Sequence, residues 1–321
     1  MIDPISILIH PSQFPDAVQR ELQRCLRQRE VNHKFHYESY KQVSKWLALH
    51  EEYSPARTDP ECAVQYDAAF AVSARLTGRA VHVIGLGAGG GQKDHRLLQL
   101  LAEQKKTVNY SPLDVSAPMV VTAALAVKPV VHHPTPIVAD LAEASDLPAV
   151  FDKIIRPDAA RLYTFFGMIP NFEPERILPR LADMIPVGAR LLFSANLAPG
   201  SDYRRGIEQI QPLYDNELTR DWLLTFMLDL GFEMGDGRLV WQIEGERFVR
   251  LTAGFELVRD RTVVVSGERF AFRKGERIRL FFSYRYTPAL VGELLQEHGF
   301  EVTERWITRS EEEGIFLCER A

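Results

Sequence analysis

The stretch VHVIGLGAGGGQKD, Val81 to Asp94, decides the fold. An apolar run holding one histidine enters a cluster of glycines, Gly85, Gly87, Gly89, Gly90 and Gly91. Gln92, Lys93 and Asp94 follow, and then the helical pattern RLLQLLAEQ. The order is strand, tight turn, helix. Glycines in such a turn let the backbone bend sharply and approach a bound molecule, because no Cβ intervenes. The helix beyond offers free N–H groups and a positive dipole end to an anionic group. The stretch therefore predicts a nucleotide-type cofactor at the C-terminal edge of a parallel strand.

Alternating units extend outward from this turn. VHVIGLG (81–87) reads as a strand and 93–105 as a helix. TVNYSPLDVS (107–116) is a strand ending at Asp114, and 117–126 a helix. PVVHHPTPIVADL (129–141) holds a short strand before Asp140. RLYTFFGMIPNF (161–172) is a buried strand, EPERILPRLADMI (173–185) a helix, and ARLLFSANLAP (189–199) a strand. Such alternation means βαβ units and a parallel sheet covered on both faces. Upstream, 16–30, 38–50 and 62–77 have helical spacing, with a Pro-broken turn at 51–61. After Pro199 the pattern changes: 202–232 is helical, and RLVWQIEGERFVRLTAGFELV, RTVVVSGERFAF and RIRLFFSYRYT read as an antiparallel meander. The helical 287–300, then EVTERWIT and GIFLCER, predict an antiparallel pair closing the parallel sheet. The fold class is α/β, a Rossmann-like sheet with a second, α+β lobe. Residues 62–198 with 286–321 form the cofactor domain, and 1–61 with 199–285 the substrate lobe.

Composition bounds the function. The chain has 321 residues, 46% of them hydrophobic, enough for a sizeable core in one large or two smaller domains. A net charge of −5 argues against a nucleic-acid partner. Cys25, Cys62 and Cys318 are far apart and odd in number, so they indicate neither a disulfide framework nor a zinc site. His132 and His133 lack a third ligand at metal-site spacing, which leaves them as a loop beside the cofactor pocket. The N-terminal segment has no basic region or long apolar run, and no stretch is apolar enough to span a bilayer. A cytoplasmic protein, monomer or homodimer, with a small-molecule partner is expected.

The spacing of the motif separates cofactors. A dinucleotide site wants GxGxxG with an acid about 20 residues on; here the pattern is GxGxGGG, and the strand-end acid Asp114 lies farther away. A phosphate-binding loop would end in GK[ST], but Lys93 is followed by Asp94. A site for S-adenosylmethionine (SAM) fits better, with a glycine turn for the amino-acid moiety, an acid at the second strand end, and a polar residue after the third. Asp114 has two acceptor oxygens for the two ribose hydroxyls. Asp140 would accept from the adenine amine. Each aspartate alone also reads as an ordinary cap or loop acid.

In order and spacing these segments resemble the histidine-specific Nα-methyltransferase family of the ergothioneine pathway, a SAM-dependent class I family, from about Lys34 to Glu319. KFHYE (34–38) resembles its tyrosine-bearing segment and EEYSPAR (51–57) its EYYPTR. IGLGAGGGQK resembles its glycine motif, PLDVS (112–116) its (V/L)DVS, and VADL (138–141) its GDF-type segment. FFGMIPNF (165–172) resembles the segment ending in GN(L/F), LYDN (213–216) its YDD, and FFSYRY (281–286) its EVSCKF. The resemblance implies SAM contacts from Gly85, Gly87, Gly89, Lys93, Asp114, Asp140 and Leu141. It implies that Asn171 and Tyr214 hold the acceptor's α-carboxylate, that Tyr37 and Tyr53 lie near the reacting amine, and that Ser283 touches the acceptor's side chain. Locally, the tyrosines also read as half-buried packing, and Asn171 as the cap of a helix starting at Phe172.

Two positions depart from the family. In its E-x-S-x-K pattern the glutamate holds imidazole; here that position is Phe281, which removes a charge-assisted acceptor and argues against histidine. Of Phe281 and Phe282, strand alternation places only one in the pocket. Arg250 stands where the family has an apolar residue facing the side chain; it either points inward, favouring an acidic or planar polar acceptor, or outward into solvent. The expected activity is methylation of the α-amine of a free amino acid or derivative, up to the trimethyl betaine. A SAM-binding protein without methyl transfer, and an NAD-dependent oxidoreductase, are the competing readings.

Overall fold

The computed structural model describes residues 4–321. Strand β1 (Leu8–Ile9) precedes helices α1 (Pro15–Gln28), α2 (Tyr40–Tyr53), α3 (Pro55–Thr58) and α4 (Pro60–Leu76). Next come β2 (Ala80–Leu86), α5 (Gln92–Glu103), β3 (Thr107–Asp114), α6 (Ala117–Val127), β4 (Ile137–Val138), α7 (Leu147–Ile154), β5 (Ala160–Phe166), α8 (Pro174–Met184) and β6 (Arg190–Asn196). Helices α9 (Tyr203–Ile210) and α10 (Glu217–Asp229) lead to β7 (Gly237–Glu244), β8 (Val249–Leu257), β9 (Arg261–Val265), β10 (Glu268–Phe272) and β11 (Arg277–Arg285). Helix α11 (Pro288–Glu297) and strands β12 (Phe300–Ile307) and β13 (Glu313–Arg320) come last.

The main sheet runs β1-β4-β3-β2-β5-β6-β13-β12. Its pairs are parallel from β1 to β6 and antiparallel at β6–β13 and β13–β12. Strand β2 is buried almost throughout, as a central parallel strand must be when helices cover both faces. One apolar layer joins Ile84, Leu113, Phe165 and Phe193 to α7, α8 and α11; the other joins Val81, Val83 and Leu192 to α4 and α5. From β2 the chain proceeds to β3 on one side and later to β5 on the other. That reversal opens a crevice beyond the C-terminal ends of the strands, where ligands bind in such sheets.

The lobe packs α1, α10 and β8–β11 around Phe226, Phe255, Phe270 and Phe272. It departs from a single meander. Strand β11 pairs with β8 in a three-stranded sheet, β11-β8-β7, while β9 and β10 form their own hairpin. Two further expectations change. The helical run 202–232 is interrupted by a 3-10 turn at Gln211–Leu213, and Asn216, accepting from the Thr219 N–H, starts α10 afresh. The strand expected over 161–172 stops at Phe166, and a 3-10 turn, Ile169–Asn171, carries the chain across the sheet's end. Residues 51–61 include the short α3 as well as the expected turn. Among the described residues no helix is long and apolar enough to cross a membrane.

Candidate functional site

A cavity of about 760 Å³ lies between the ends of β2–β6 and the lobe. The glycine turn forms its floor. Gly87 (φ 72°) and Gly91 (φ 75°) occupy the left-handed region, and a Cβ on Gly91 would come within 2.8 Å of the Ala123 backbone. Helix α5 begins at Gly91 without a side-chain cap, so its first N–H groups stay free for a ligand. Gly87, Gly89, Lys93, Asp114, Asp140 and Leu141 all border the cavity. Gly85 does not: it lies behind the turn, where a Cβ would meet the Asp94 carboxylate at 2.6 Å.

Asp114 ends β3 and is buried. Its Oδ2 accepts from the Gly89 N–H at 3.1 Å and its Oδ1 from the Ser116 N–H at 3.0 Å. Each oxygen keeps a further acceptor site, which suits a vicinal diol. Burial raises Asp114 to about 6 despite these hydrogen bonds. Asp140 accepts from the Ala142 N–H at 3.0 Å and pairs with the buried Lys34 ammonium at 3.1 Å. Lys93 donates to the Tyr66 hydroxyl at 2.6 Å and lies 3.3 Å from the Glu313 carboxylate. Beneath the turn, Asp94 accepts from Tyr110 at 2.5 Å and Thr164 at 2.8 Å, and burial raises it to about 6 as well. Uncovered turn backbone, a strand-end diol acceptor, a second strand-end acid and a lysine fit the amino-acid, ribose and adenine parts of SAM.

The other end of the cavity is aromatic. Tyr37, Tyr53, Asn171, Tyr214, Phe281 and Ser283 all border it. Tyr37 packs edge-on against Trp46 and lies against Trp222. Burial, with Asp114 nearby, pushes its phenol far above the usual range, so it stays protonated. Asn171 ends the 3-10 turn; it does not cap α8, which begins at Pro174 behind Glu173. The Tyr214 hydroxyl lies 2.9 Å from Ser283 Oγ. Phe281, 6% exposed, meets His33, Tyr214, Trp222 and Trp241 with ring centroids 5.0 to 6.4 Å apart.

Two positions differ from both alternatives the sequence offered. Arg250 neither enters the cavity nor faces solvent. It sits on β8, inside the lobe's sheet, and donates to Glu173 at 2.8 Å and to the Tyr284 hydroxyl at 3.0 Å. Both Phe281 and Phe282 border the cavity, rather than one. The cause is topological. Strand β11 is an edge strand with a bulge between Arg279 and Phe281, the cavity runs along that edge, and His33 packs on both rings. His132 and His133 are exposed and away from the cavity, and no group of metal-ligating side chains occurs among the described residues.

Sequence reasoning missed three bordering residues. Lys34 sits in the segment read only for its tyrosine. His50 shares the cavity face of α2 with Trp46, Leu49 and Tyr53, a helical spacing that was there to be read; burial, with Lys93 and Arg57 near, lowers it to about 3. Arg285 is the third of the alternate β11 positions 281, 283 and 285. It is buried, and both its Nε (3.1 Å) and Nη2 (2.8 Å) donate to the Tyr214 hydroxyl.

A parallel sheet with a glycine turn and two strand-end acids at its switch point defines a SAM-dependent methyltransferase. The chain belongs to the family described as histidine-specific, SAM-dependent methyltransferases, which it matches over residues 16–320. It is 26% identical over 281 residues to the N-methyltransferase imqF of Aspergillus flavus, covering 83% of this chain and 73% of that one. It is 24% identical over 242 residues to the N-methyltransferase fsqC of Aspergillus fumigatus, covering 72% and 64%. Among solved structures, the magnesium protoporphyrin IX methyltransferase of Synechocystis aligns with a TM-score of 0.47 at 14% identity, over 88% of this chain and 95% of that one.

Proposed function

We propose that this SAM-dependent enzyme methylates the α-amino group of a free amino acid whose side chain is apolar or aromatic, not imidazole. The observation that carries the reading is Phe281. It stands among aromatic rings at the end of the cavity that also holds Asn171, Tyr214 and Ser283. The carboxylates bordering this end are already engaged: Glu30 by Arg279 at 2.9 Å, and Glu173 by Arg250 at 2.8 Å and Tyr284 at 2.5 Å. Nothing here replaces the missing imidazole acceptor. The two fungal relatives, both N-methyltransferases, agree with nitrogen as the methylated atom.

Bound SAM supplies a sulfonium methyl with a good leaving group, so the protein's task is mainly positioning. Gly87, Gly89, Lys93, Asp114, Asp140 and Leu141 would hold the donor; Asn171 and Tyr214 would hold the acceptor's carboxylate. Tyr37 and Tyr53 would orient the amine's lone pair toward the methyl. Neither Tyr37, whose phenol keeps its proton, nor His50, at about 3, is a base for the ammonium at neutral pH. On this reading water carries off the proton before attack. The reaction continues on the methylated amine while a lone pair remains, ending at the trimethyl betaine.

The test is a panel of free amino acids incubated with SAM, followed by SAH release and product mass. Mass gains by methyl increments on phenylalanine, tyrosine, tryptophan, leucine or methionine are expected. SAM binding with no methyl gain on any amino acid would instead support a non-catalytic SAM-binding protein.

A further inference from the structure

Among the described residues, one buried cation that borders the cavity has no anionic partner. Arg285 is 3% exposed and borders the cavity. Other bordering arginines have carboxylates: Arg24 has Glu21, Arg57 has Glu51, Arg96 has Asp67, Arg176 has Glu143 and Arg279 has Glu30. Arg285 has none among the described residues. Its Nη1 donates to the Leu197 carbonyl at 3.2 Å, and its other donors go to Tyr214. A guanidinium stays protonated in any such setting, and an unpaired buried charge is costly. A ligand's negative charge would offset that cost.

The hydrogen bonds fix the direction of the charge. Arg285 donates twice to Tyr214 Oη, which fills the acceptor capacity of that oxygen. Tyr214 therefore keeps its own proton to donate: Ser283 Oγ lies 2.9 Å away to receive it, and an acceptor's carboxylate entering the cavity would take it instead. Ser283 in turn has its proton free. The chain runs from guanidinium to phenol to hydroxyl, and all three side chains belong to residues that border the cavity. Asn171, on the 3-10 turn, borders the same space.

We infer that Arg285 is a positioning residue that directs Tyr214 at the acceptor's α-carboxylate and supplies the positive field for it, so that only acceptors with a free carboxylate turn over well. This rests on the proposed amino-acid methylation. It adds a selection that the acceptor's side-chain pocket does not provide: esters and decarboxylated amines with the same side chain are rejected.

The experiment measures kcat and KM for an accepted amino acid, its methyl ester and its decarboxylated amine, at saturating SAM. The proteins are the wild type, Arg285→Met, Arg285→Lys and Tyr214→Phe, with SAH affinity by calorimetry as a check on folding. The wild type is expected to prefer the acid by about 100-fold, a usual scale for losing a partner of a buried charge. Arg285→Met should raise KM for the acid by about 30-fold or more with little change for the ester, collapsing the preference. Arg285→Lys should restore part of it, because the charge returns without the fork. Tyr214→Phe should collapse it as well, so the inference stays testable if Arg285→Met fails to fold. Acid and ester slowed equally in both Arg285→Met and Tyr214→Phe would overturn the role of Arg285 while leaving amino-acid methylation standing. A wild type that prefers the ester or the decarboxylated amine would overturn the proposed function itself.

Discussion

On the proposed reading, Phe281 sets the acceptor. Its ring fills the place where the family's pattern has a glutamate, and the rings of His33, Trp222 and Trp241 leave that space apolar apart from the His33 imidazole. Substituting Phe281→Glu should raise histidine's kcat/KM relative to phenylalanine's by about 100-fold, since a buried acceptor left unpaired by an apolar side chain discriminates strongly. Steady-state kinetics on the two acceptors reads it directly, and an unchanged ratio would refute the assignment. As the proposed ribose acceptor, Asp114 would set the pH dependence of donor binding. Burial raises it to about 6, so the unbound site takes up a proton as pH falls through 6 and loses its acceptor for the ribose. SAH affinity should therefore weaken below pH 6, with proton release on binding seen by calorimetry in buffers of different ionisation enthalpy. Stability runs the opposite way. Between the unfolded value of 3.8 and about 6 the folded chain holds more protons at Asp94 and Asp114, so their contribution falls as pH rises through that window. Asp114→Asn should weaken SAH by about 10- to 100-fold at pH 7.5, the loss of charge-assisted acceptance. Asp114 and Asp140 were legible because each comes at or just after the end of an apolar strand. Arg285 falls on the lysine of the E-x-S-x-K pattern, which offers a cation there, but its partners Tyr214 and Leu197 are set by long-range packing that sequence does not carry.

Among the elements, the glycine turn was the most legible. Its residues answer to local backbone geometry, which sequence carries directly. Gly91→Ala should cost about 2 kcal/mol or more, combining left-handed backbone strain with a 2.8 Å approach to Ala123 that pushes α5 from α6. Urea unfolding measures the loss, and SAH titration should show weaker binding as the turn shifts. Strand β1 was not legible: two residues of exposed strand carry no period, and only pairing with β4 makes them sheet. The same limit explains the lobe. Alternation identified its strands, but whether β11 returns to β8 or to β10 depends on long-range packing against α10 and α1. That choice brings the edge of β11, and with it Phe281, Ser283 and Arg285, to the cavity.

Across the whole molecule, the segment after α1 ties the lobe to the sheet at the cofactor end. Lys34 pairs with Asp140 at 3.1 Å with both side chains under 10% exposed, and Ser116 donates to the Tyr37 carbonyl. Lys34→Met strands a buried carboxylate and should cost about 3 kcal/mol or more in urea unfolding, with Lys34→Arg losing less. A loss no larger than that of a surface lysine would show the tie to be incidental. Sequence could not show this pairing, since 106 residues separate its members. On the proposed function, the two ends of one cavity divide the work: turn and strand-end acids toward the methyl donor, aromatic box and donor chain toward the acceptor. The most direct measurement is a competition. Equal concentrations of phenylalanine, histidine and phenethylamine are supplied with SAM carrying a deuterated methyl, and the label is located by tandem mass spectrometry. Label is expected on the α-nitrogen of phenylalanine, ahead of histidine by about tenfold or more and with little on phenethylamine. Label entering histidine or phenethylamine first, or none of the three amines, would contradict it.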